Sequence, residues 1–111
     1  MLPINEINVQ EVKEMMSKDS TIIVDIRDAA SFQSGHIPNA IHLGDNTVQQ
    51  FLSNTDKEKS LVVYCYHGIS SQGAAVYFSE QGFKNVSSMI GGFENWRAVF
   101  SSSIEKNNGS F

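Results

Sequence analysis

The chain has 111 residues, a net charge of -4 at pH 7 and 41% hydrophobic residues. This length is enough for one domain that buries its own core without disulfides or metals. The acidic balance and the absence of a dense basic run argue against a nucleic-acid partner, and no apolar segment is long enough to span a membrane. The N-terminal segment lacks the features of a signal peptide, and a single cysteine cannot form an intrachain disulfide. We therefore expect a reducing compartment, with the cytoplasm as the location.

The first half of the chain predicts two helices that alternate with two short strands. The predicted helices cover 7–19 and 27–35, and the predicted strands cover 21–25 and 39–43. Asn8 and Glu11 have the spacing of a capping box at the start of the first helix. Asp28 is expected to cap the second helix, which Gly35 ends.

The second half predicts a stronger strand and a stronger helix, followed by a further strand and helix. Strands are predicted over 60–65 and 85–92, helices over 45–54, 70–82 and 93–100, and a charged turn over 56–60. Ser70 or Ser71 is expected to cap the helix of 70–82, with Gly82 as its C-terminal stop. The domain is expected to cover 1–100, with a flexible C-terminal tail over 101–111.

Strands that alternate with helices predict an α/β fold. We expect a mostly parallel central sheet of about five strands with helices on both faces. In sheets of this kind, functional sites form outside the carboxyl ends of the strands. The only cysteine of the chain, Cys65, lies at the carboxyl end of the most convincing strand.

The segment after Cys65 has the features of an anion-binding loop. Backbone N–H groups of a tight loop and of a helix N-terminus bind an anion without a basic side chain. Gly68 permits the positive φ that lets successive N–H groups converge, and Ser70 and Ser71 offer hydroxyl donors. His67 offers a charge or a hydrogen bond to an anion, since the ordinary pKa of a histidine side chain lies near neutrality. A lone cysteine is often an inert, buried residue, but this position favours a reactive thiolate.

Four segments of the chain, in order, resemble the motifs of one family. They are VDIRD at 24–28, GHIPNAIHL at 35–43, CYHGISS at 65–71 and GGFENW at 91–96. Each segment is weak evidence alone, but four in the expected order, with the cysteine at a predicted strand end, form a specific match. The chain therefore resembles the rhodaneses, a family of sulfurtransferases, and most of all their small single-domain members.

The resemblance implies an activity centred on Cys65 as the nucleophile. Rhodaneses move sulfane sulfur from thiosulfate through a cysteine persulfide to a thiophilic acceptor, in a ping-pong reaction. The acceptor is cyanide in an assay, or a thiol such as that of a thioredoxin-like protein. The implied persulfide-binding loop consists of Tyr66, His67, Gly68, Ile69 and Ser70. Ser70 is expected to donate from its hydroxyl, Ser71 and Arg27 are possible supporting residues, and no metal or organic cofactor is expected.

The chain departs from the family pattern at two places. Two-domain relatives carry Arg or Lys in the loop, whereas Tyr66 and His67 stand here, so donor affinity and anion preference do not follow from the resemblance. Asn39 replaces the usual glycine of the second motif. Because asparagine tolerates positive φ better than most residues, we expect the turn to be kept.

Two other functions stay open. A rhodanese-like domain can serve as a binding or sensing module without turnover, although inactive relatives typically lack the cysteine that this chain retains. A phosphatase or arsenate reductase on the same fold would hold its substrate with an Arg six residues after the cysteine. The sixth residue after Cys65 is Ser71, and no Arg or Lys occurs before Lys84. Only a loop longer than the sequence indicates would revive that alternative.

Several other polar and aromatic residues are assigned structural roles. His36 and His42 match no zinc spacing, and His36 is expected to hydrogen-bond within a turn. Asp25 and Arg27 flank a strand end, and an arginine is suited to bridging carboxylates and carbonyls, so we expect them mainly to hold loops together. Trp96 is expected to anchor the last helix in the core.

Overall fold

The computed structural model describes residues 5–106, in which strands and helices alternate. The strands are β1 (Asn5–Ile7), β2 (Thr21–Asp25), β3 (Ile41–His42), β4 (Ser60–Tyr64) and β5 (Asn85–Met89). The helices are α1 (Val9–Met15), α2 (Ala29–Ser34), α3 (Val48–Asn54), α4 (Ser70–Glu80) and α5 (Gly92–Val99). The predicted elements are therefore present, although most are a few residues shorter than their sequence patterns suggest.

The strands form one parallel sheet in the order β1-β5-β4-β2-β3. This arrangement confirms the predicted α/β fold with a sheet of about five strands. Because the strands are parallel, their carboxyl ends meet at one edge of the sheet. The sequence did not reveal β1, since only Ile7 of its three residues is buried and no apolar run marks the strand.

Alternate residues of the strands enter two cores on opposite faces of the sheet. The core under α1 and α5 includes Ile23, Val62, Tyr64, Met89, Val9, Val12, Phe93 and Trp96. The core under α3 and α4 includes Val24, Leu61, Val63, Val86, Phe51, Leu52, Ala75 and Phe78. Helices therefore cover both faces, as expected. Trp96 is fully buried and donates from its indole N–H to Ser103 O at 2.9 Å, which confirms its role as an anchor.

Several local signals of the sequence are confirmed at the helix starts and turns. Asn8 Oδ1 accepts from the Glu11 N–H at 2.8 Å, and the Glu11 carboxylate accepts from the Asn8 N–H at 3.1 Å. Asp28 caps α2 through the Ser31 N–H at 3.0 Å. Asn39 has a φ of 67°, the positive value that the turn requires, so the expected turn is kept. Within residues 5–106, no other non-glycine residue has a positive φ.

The segment after α5 returns to the domain. The backbones of His36 and Glu105 exchange two hydrogen bonds of 2.9 Å as an antiparallel bridge, and Ile104 packs against the core under α5. Residues 101–106 therefore belong to the packed domain and do not form the free tail that the sequence suggested. Their apolar and backbone groups find partners that composition alone does not show. Residues 107–111 lie outside the described residues, so the part of the predicted tail that they form stays a prediction.

Candidate active site

Cys65 lies directly after the central strand β4 and is 6% exposed. Four residues separate it from Ser70, the first residue of α4. The loop therefore has the length that the sequence indicates, and the sixth residue after the cysteine is Ser71. The phosphatase alternative required a longer loop with an arginine, and this segment has neither.

Two backbone donors and one hydroxyl group surround the Cys65 sulfur. The backbone N–H groups of Gly68 and Ser71 each donate to Sγ at 3.2 Å, and Ser71 Oγ lies 3.4 Å from Sγ. Ile69 holds the N-cap position of α4 and makes no side-chain capping bond. Neither Ser70 nor Ser71 is therefore the N-cap residue that the sequence predicted. The cysteine sulfur takes that role, since it accepts from the free N–H groups at the start of the helix.

These contacts favour the ionised form of Cys65. Burial raises the pKa of the thiol, but the Ser71 side chain and the backbone N–H groups of Ser71, Gly68 and His67 lower it by more. The net pKa lies below the ordinary value of a cysteine thiol. The main causes that lower this pKa are hydrogen bonds, and no basic side chain is among them.

Two glycines let α5 approach the Cys65 loop. Gly68 has a φ of 86°, and a Cβ there would lie 2.8 Å from Gly91 N. Gly92 has a φ of 62°, and a Cβ there would lie 2.6 Å from Cys65 O. The first N–H groups of α5 use this close approach: Phe93 donates to Cys65 O at 2.9 Å. A side chain at either glycine would separate the loop from the helix that supports it.

The side chains of the loop point away from the sulfur. Ile69 is 74% exposed and Tyr66 39% exposed, and His67 and Ser70 are also exposed. Both Ser70 and Ser71 were expected as hydroxyl donors, but only Ser71 places its hydroxyl at the resting sulfur. The backbone N–H of His67 helps to lower the pKa of Cys65, and its ring lies 5.1 Å from the Tyr66 ring. The loop therefore contacts the sulfur through its backbone and leaves these side chains exposed.

Ser88 on β5 is a polar neighbour of the site that sequence reasoning missed. Its Oγ lies 2.7 Å from Ser71 Oγ, and both residues are 0% exposed. The available signal was the pair Ser87-Ser88 between the apolar residues Val86 and Met89 of the strand. Buried hydroxyl groups need hydrogen-bond partners, so such a pair indicates a polar contact across the sheet face.

Arg27 supports the loop without touching the sulfur. It forms a buried ion pair with Asp25 at 2.7 Å and donates from Nη2 to Gly35 O. Its guanidinium lies over the Phe93 ring at 4.2 Å and 5.7 Å from the Tyr66 ring. This geometry agrees with the expected structural role, since the pair connects the end of β2 to the end of α2 and packs beneath the loop.

The histidines outside the loop bond to the backbone. His36 Nδ1 donates to Ile37 O at 2.9 Å, and its ring stacks on Phe32 at 3.9 Å. His42 Nε2 lies 2.6 Å from Arg27 O. Within residues 5–106, no group of three or more His, Cys, Asp or Glu side chains is arranged to hold a metal ion. The turn-stabilising role expected for His36 is therefore confirmed.

A cavity of about 430 Å³ lies beside the loop, with Tyr66 in its wall. Three cationic side chains line it, those of Arg27, Arg97 and Lys106, together with Tyr66 and Phe93. Arg97 also pairs with Glu94 at 2.8 Å, so part of its charge is already compensated. Arg27 is paired as well, with the buried Asp25, so the cavity carries less net positive charge than its three cationic side chains suggest.

Comparison with protein families identifies this arrangement. The model of the rhodanese-like domain matches residues 8–99, which include the Cys65 loop and every strand from β2 to β5. The chain belongs to the rhodanese-like domain family. This result confirms the family that the four sequence motifs suggested. The loop described above is thus the cysteine loop of a rhodanese domain.

Relatives of this rhodanese domain extend over nearly its whole length. A protein named thiosulfate sulfurtransferase GlpE from Coxiella burnetii is 48% identical over 93 residues, which are 84% of this chain and 87% of that protein. A protein of the same name from Pseudoalteromonas translucida is 41% identical over 100 residues, 90% of this chain and 95% of that protein. The crystal structure of the BH2092 protein from Bacillus halodurans has a TM-score of 0.79 at 28% identity, covering 93% of this chain and 77% of that one.

Proposed function

We propose that this rhodanese domain is a thiosulfate sulfurtransferase that works through a persulfide on Cys65. The observation that carries the proposal is the position of Sγ between the N–H groups of Gly68 and Ser71. These donors stabilise first a thiolate and then the anionic outer sulfur of a persulfide. The name and high identity of the Coxiella burnetii relative support thiosulfate as the donor.

The first half-reaction loads sulfur onto the enzyme. The Cys65 thiolate attacks the outer, sulfane sulfur of thiosulfate and forms a new S–S bond. The S–S bond of thiosulfate breaks, and its electron pair leaves with sulfite. No proton moves in this step, because the nucleophile is already ionised and sulfite leaves as an anion. A general base, a metal and an organic cofactor are therefore unnecessary.

The second half-reaction returns the enzyme to its starting state. A thiophilic acceptor, cyanide or a thiolate, attacks the outer sulfur of the persulfide. The persulfide S–S bond breaks, and its electron pair returns to Cys65 as a thiolate. The acceptor leaves as thiocyanate or as a persulfide. Since the chain has one cysteine, no internal disulfide competes for the bound sulfur. The reaction is ping-pong because sulfite leaves before the acceptor reacts with the persulfide.

The surroundings of the loop suit an anionic donor. The loop has no arginine or lysine, but the cavity beside Tyr66 is lined by Lys106 in addition to the ion-paired Arg27 and Arg97. Positive charge at the edge of a site raises the local concentration of anions and their rate of arrival. The backbone N–H groups then bind the sulfur itself, and a loop without an arginine clamp fits a sulfur-sized group better than a phosphate.

The intact mass of the protein tests the proposal directly. Incubation with thiosulfate is expected to add the mass of one sulfur atom, and cyanide is expected to remove it with formation of thiocyanate. Iodoacetamide before thiosulfate is the control, because alkylation of the one cysteine must prevent the gain. An unchanged mass after thiosulfate and after a second sulfane donor would favour the alternative of a binding module without turnover.

A protein thiol is the proposed acceptor in the cell. The exposed apolar residues beside the sulfur are Ile69 and Tyr66 in the loop and Ile90 at the end of β5. Apolar groups around a small reactive centre are typical of contact with another protein. A thioredoxin-like dithiol protein can cover these side chains while its thiolate reaches the persulfide.

Ile69→Ser is expected to lower kcat/KM for reduced thioredoxin about tenfold relative to kcat/KM for cyanide, because an interface loses the burial of one large aliphatic side chain. The measurement is the rate of persulfide discharge with each acceptor. Val99→Ser is the matched control, since Val99 is 45% exposed on α5, outside the loop. An equal loss with cyanide and thioredoxin, or an equal effect of the control, would contradict a protein-docking role for Ile69.

The location of the protein is proposed to be the cytoplasm. A thiolate that must stay reduced to accept sulfur suits a reducing compartment. In the part of the chain from residue 5 to residue 106, no helix is long and apolar enough to cross a membrane.

A further inference from the structure

A pair of buried serines connects the Cys65 sulfur to the middle of β5. Ser71 Oγ lies 3.4 Å from Sγ and 2.7 Å from Ser88 Oγ. Both serines are 0% exposed, so solvent does not satisfy either hydroxyl. The side chain of Ser88 makes no direct contact with the sulfur, and any effect that it has must pass through Ser71.

The direction of these hydrogen bonds depends on the charge of the sulfur. When Cys65 is a thiol, it can donate to Ser71 Oγ, and the Ser71 hydroxyl can donate to Ser88. When the thiol proton has left to solvent, Ser71 must turn its own hydrogen toward the thiolate. Its oxygen is then free to accept, and Ser88 is the buried group placed to donate to it. Either serine can be the donor at 2.7 Å, so this reversal needs no movement of heavy atoms.

We propose that Ser88 is a positioning residue for the nucleophile: it holds the Ser71 hydroxyl in the orientation that donates to the Cys65 thiolate. The proposal rests on the proposed function, because a thiolate is the form that takes sulfur from the donor. A hydroxyl that also accepts a hydrogen bond is a better donor, since hydrogen bonds in a chain polarise one another. Ser88 thus lowers the free energy of the ionised sulfur without contacting it.

No titratable side chain takes the place of the serines at the sulfur within residues 5–106. The titratable side chains on the elements around it are Tyr64 on β4, Tyr66 and His67 in the loop, Tyr77 and Glu80 on α4, Glu6 on β1, and Glu94 and Arg97 on α5. Glu6 reaches α4 through Gln72 Nε2 at 3.5 Å, and Glu94 binds the loop through its backbone N–H to Tyr66 O. None of these side chains hydrogen-bonds to Sγ in the described residues.

Ser88→Ala tests the proposal through the titration of the thiolate, followed by its absorbance near 240 nm. The midpoint is expected to rise. The rate of alkylation by iodoacetamide at a pH below the midpoint is expected to fall about threefold to tenfold, since tenfold corresponds to one unit of pKa. Ser88→Thr is expected to restore the midpoint in part, because it returns a hydroxyl to the same position.

Ser87→Ala is the matched control. Ser87 is the preceding residue of β5, and its side chain accepts from Asn5 Nδ2 at 2.7 Å on the opposite face of the sheet. Its removal deletes a hydroxyl from the same strand and is expected to leave the thiolate midpoint at the wild-type value. Thermal unfolding of both variants shows whether a change in stability accompanies any shift.

A double-mutant cycle separates action through Ser71 from a general effect. If Ser88 acts through Ser71, then Ser71→Ala and the double variant have the same midpoint. A wild-type midpoint in folded Ser88→Ala, an equal shift in Ser87→Ala, or a further rise in the double variant would overturn the proposal. These readouts need no sulfur transfer. A shifted midpoint in a protein that takes no sulfur from thiosulfate would reject the proposed function and leave this inference standing.

Discussion

Cys65→Ser is expected to reduce thiocyanate formation from thiosulfate and cyanide by more than about a thousandfold, as expected when an enzyme loses its nucleophile. A serine hydroxyl is not ionised near neutral pH, and the hydrogen bonds that lower the pKa of the Cys65 thiol cannot bring a hydroxyl into that range. Serine also cannot form a persulfide. The measurement is the steady-state rate over a range of both substrates, together with the intact mass after thiosulfate.

The same substitution is expected to leave the fold intact. Serine differs from cysteine by one atom, and its oxygen can still accept from the Gly68 and Ser71 N–H groups that now bind Sγ. The thermal unfolding midpoint should therefore stay close to that of the wild type. A folded serine variant that retains sulfur transfer within tenfold of the wild type would show that Cys65 is not the sulfur carrier.

The sequence predicts the position of the site because that position depends on short-range patterns. A β-branched run followed by a cysteine, a glycine and a helical pattern places the thiol at a strand end. This inference does not depend on residues elsewhere in the chain. The positive φ of Gly68 and of Asn39 was expected for the same reason, since local sterics determine it. The family motifs then related the separate segments to one another.

The contacts of the site depend on distances that local patterns do not contain. The sequence offered Ser70 and Ser71 as equivalent helix caps, but the sulfur itself occupies the capping place and only Ser71 turns inward. Ser88 reaches the site because β5 lies beside β4, a pairing between residues far apart in the chain. The bridge between His36 and Glu105 is also long-range, and so a polar C-terminal segment looked like a free tail.

Arg27→Met is expected to lower the free energy of unfolding by about 3–5 kcal/mol, because it removes one partner of a buried ion pair. The Asp25 side chain is 0% exposed and would lose every hydrogen bond from the guanidinium, while it keeps the backbone N–H of residue 27 at its Oδ1. Gly35 O would lose its partner as well. Methionine retains the apolar stem of the side chain, so the loss reports on the charge and its hydrogen bonds more than on packing.

Two variants make the comparison decisive in urea-induced unfolding. Arg97→Met removes an exposed pair with Glu94 and is expected to cost less than about 1 kcal/mol, since solvent screens such pairs. Asp25→Asn combined with Arg27→Met removes both buried charges and is expected to recover much of the lost stability. Below the unfolding transition, Arg27→Met should keep most of its sulfur transfer, because the guanidinium does not touch Sγ. If Arg27→Met and Arg97→Met lower the free energy of unfolding equally, the buried pair does not contribute more to stability than the exposed one. If folded Arg27→Met is inactive, Arg27 acts on the reaction and not mainly on the fold.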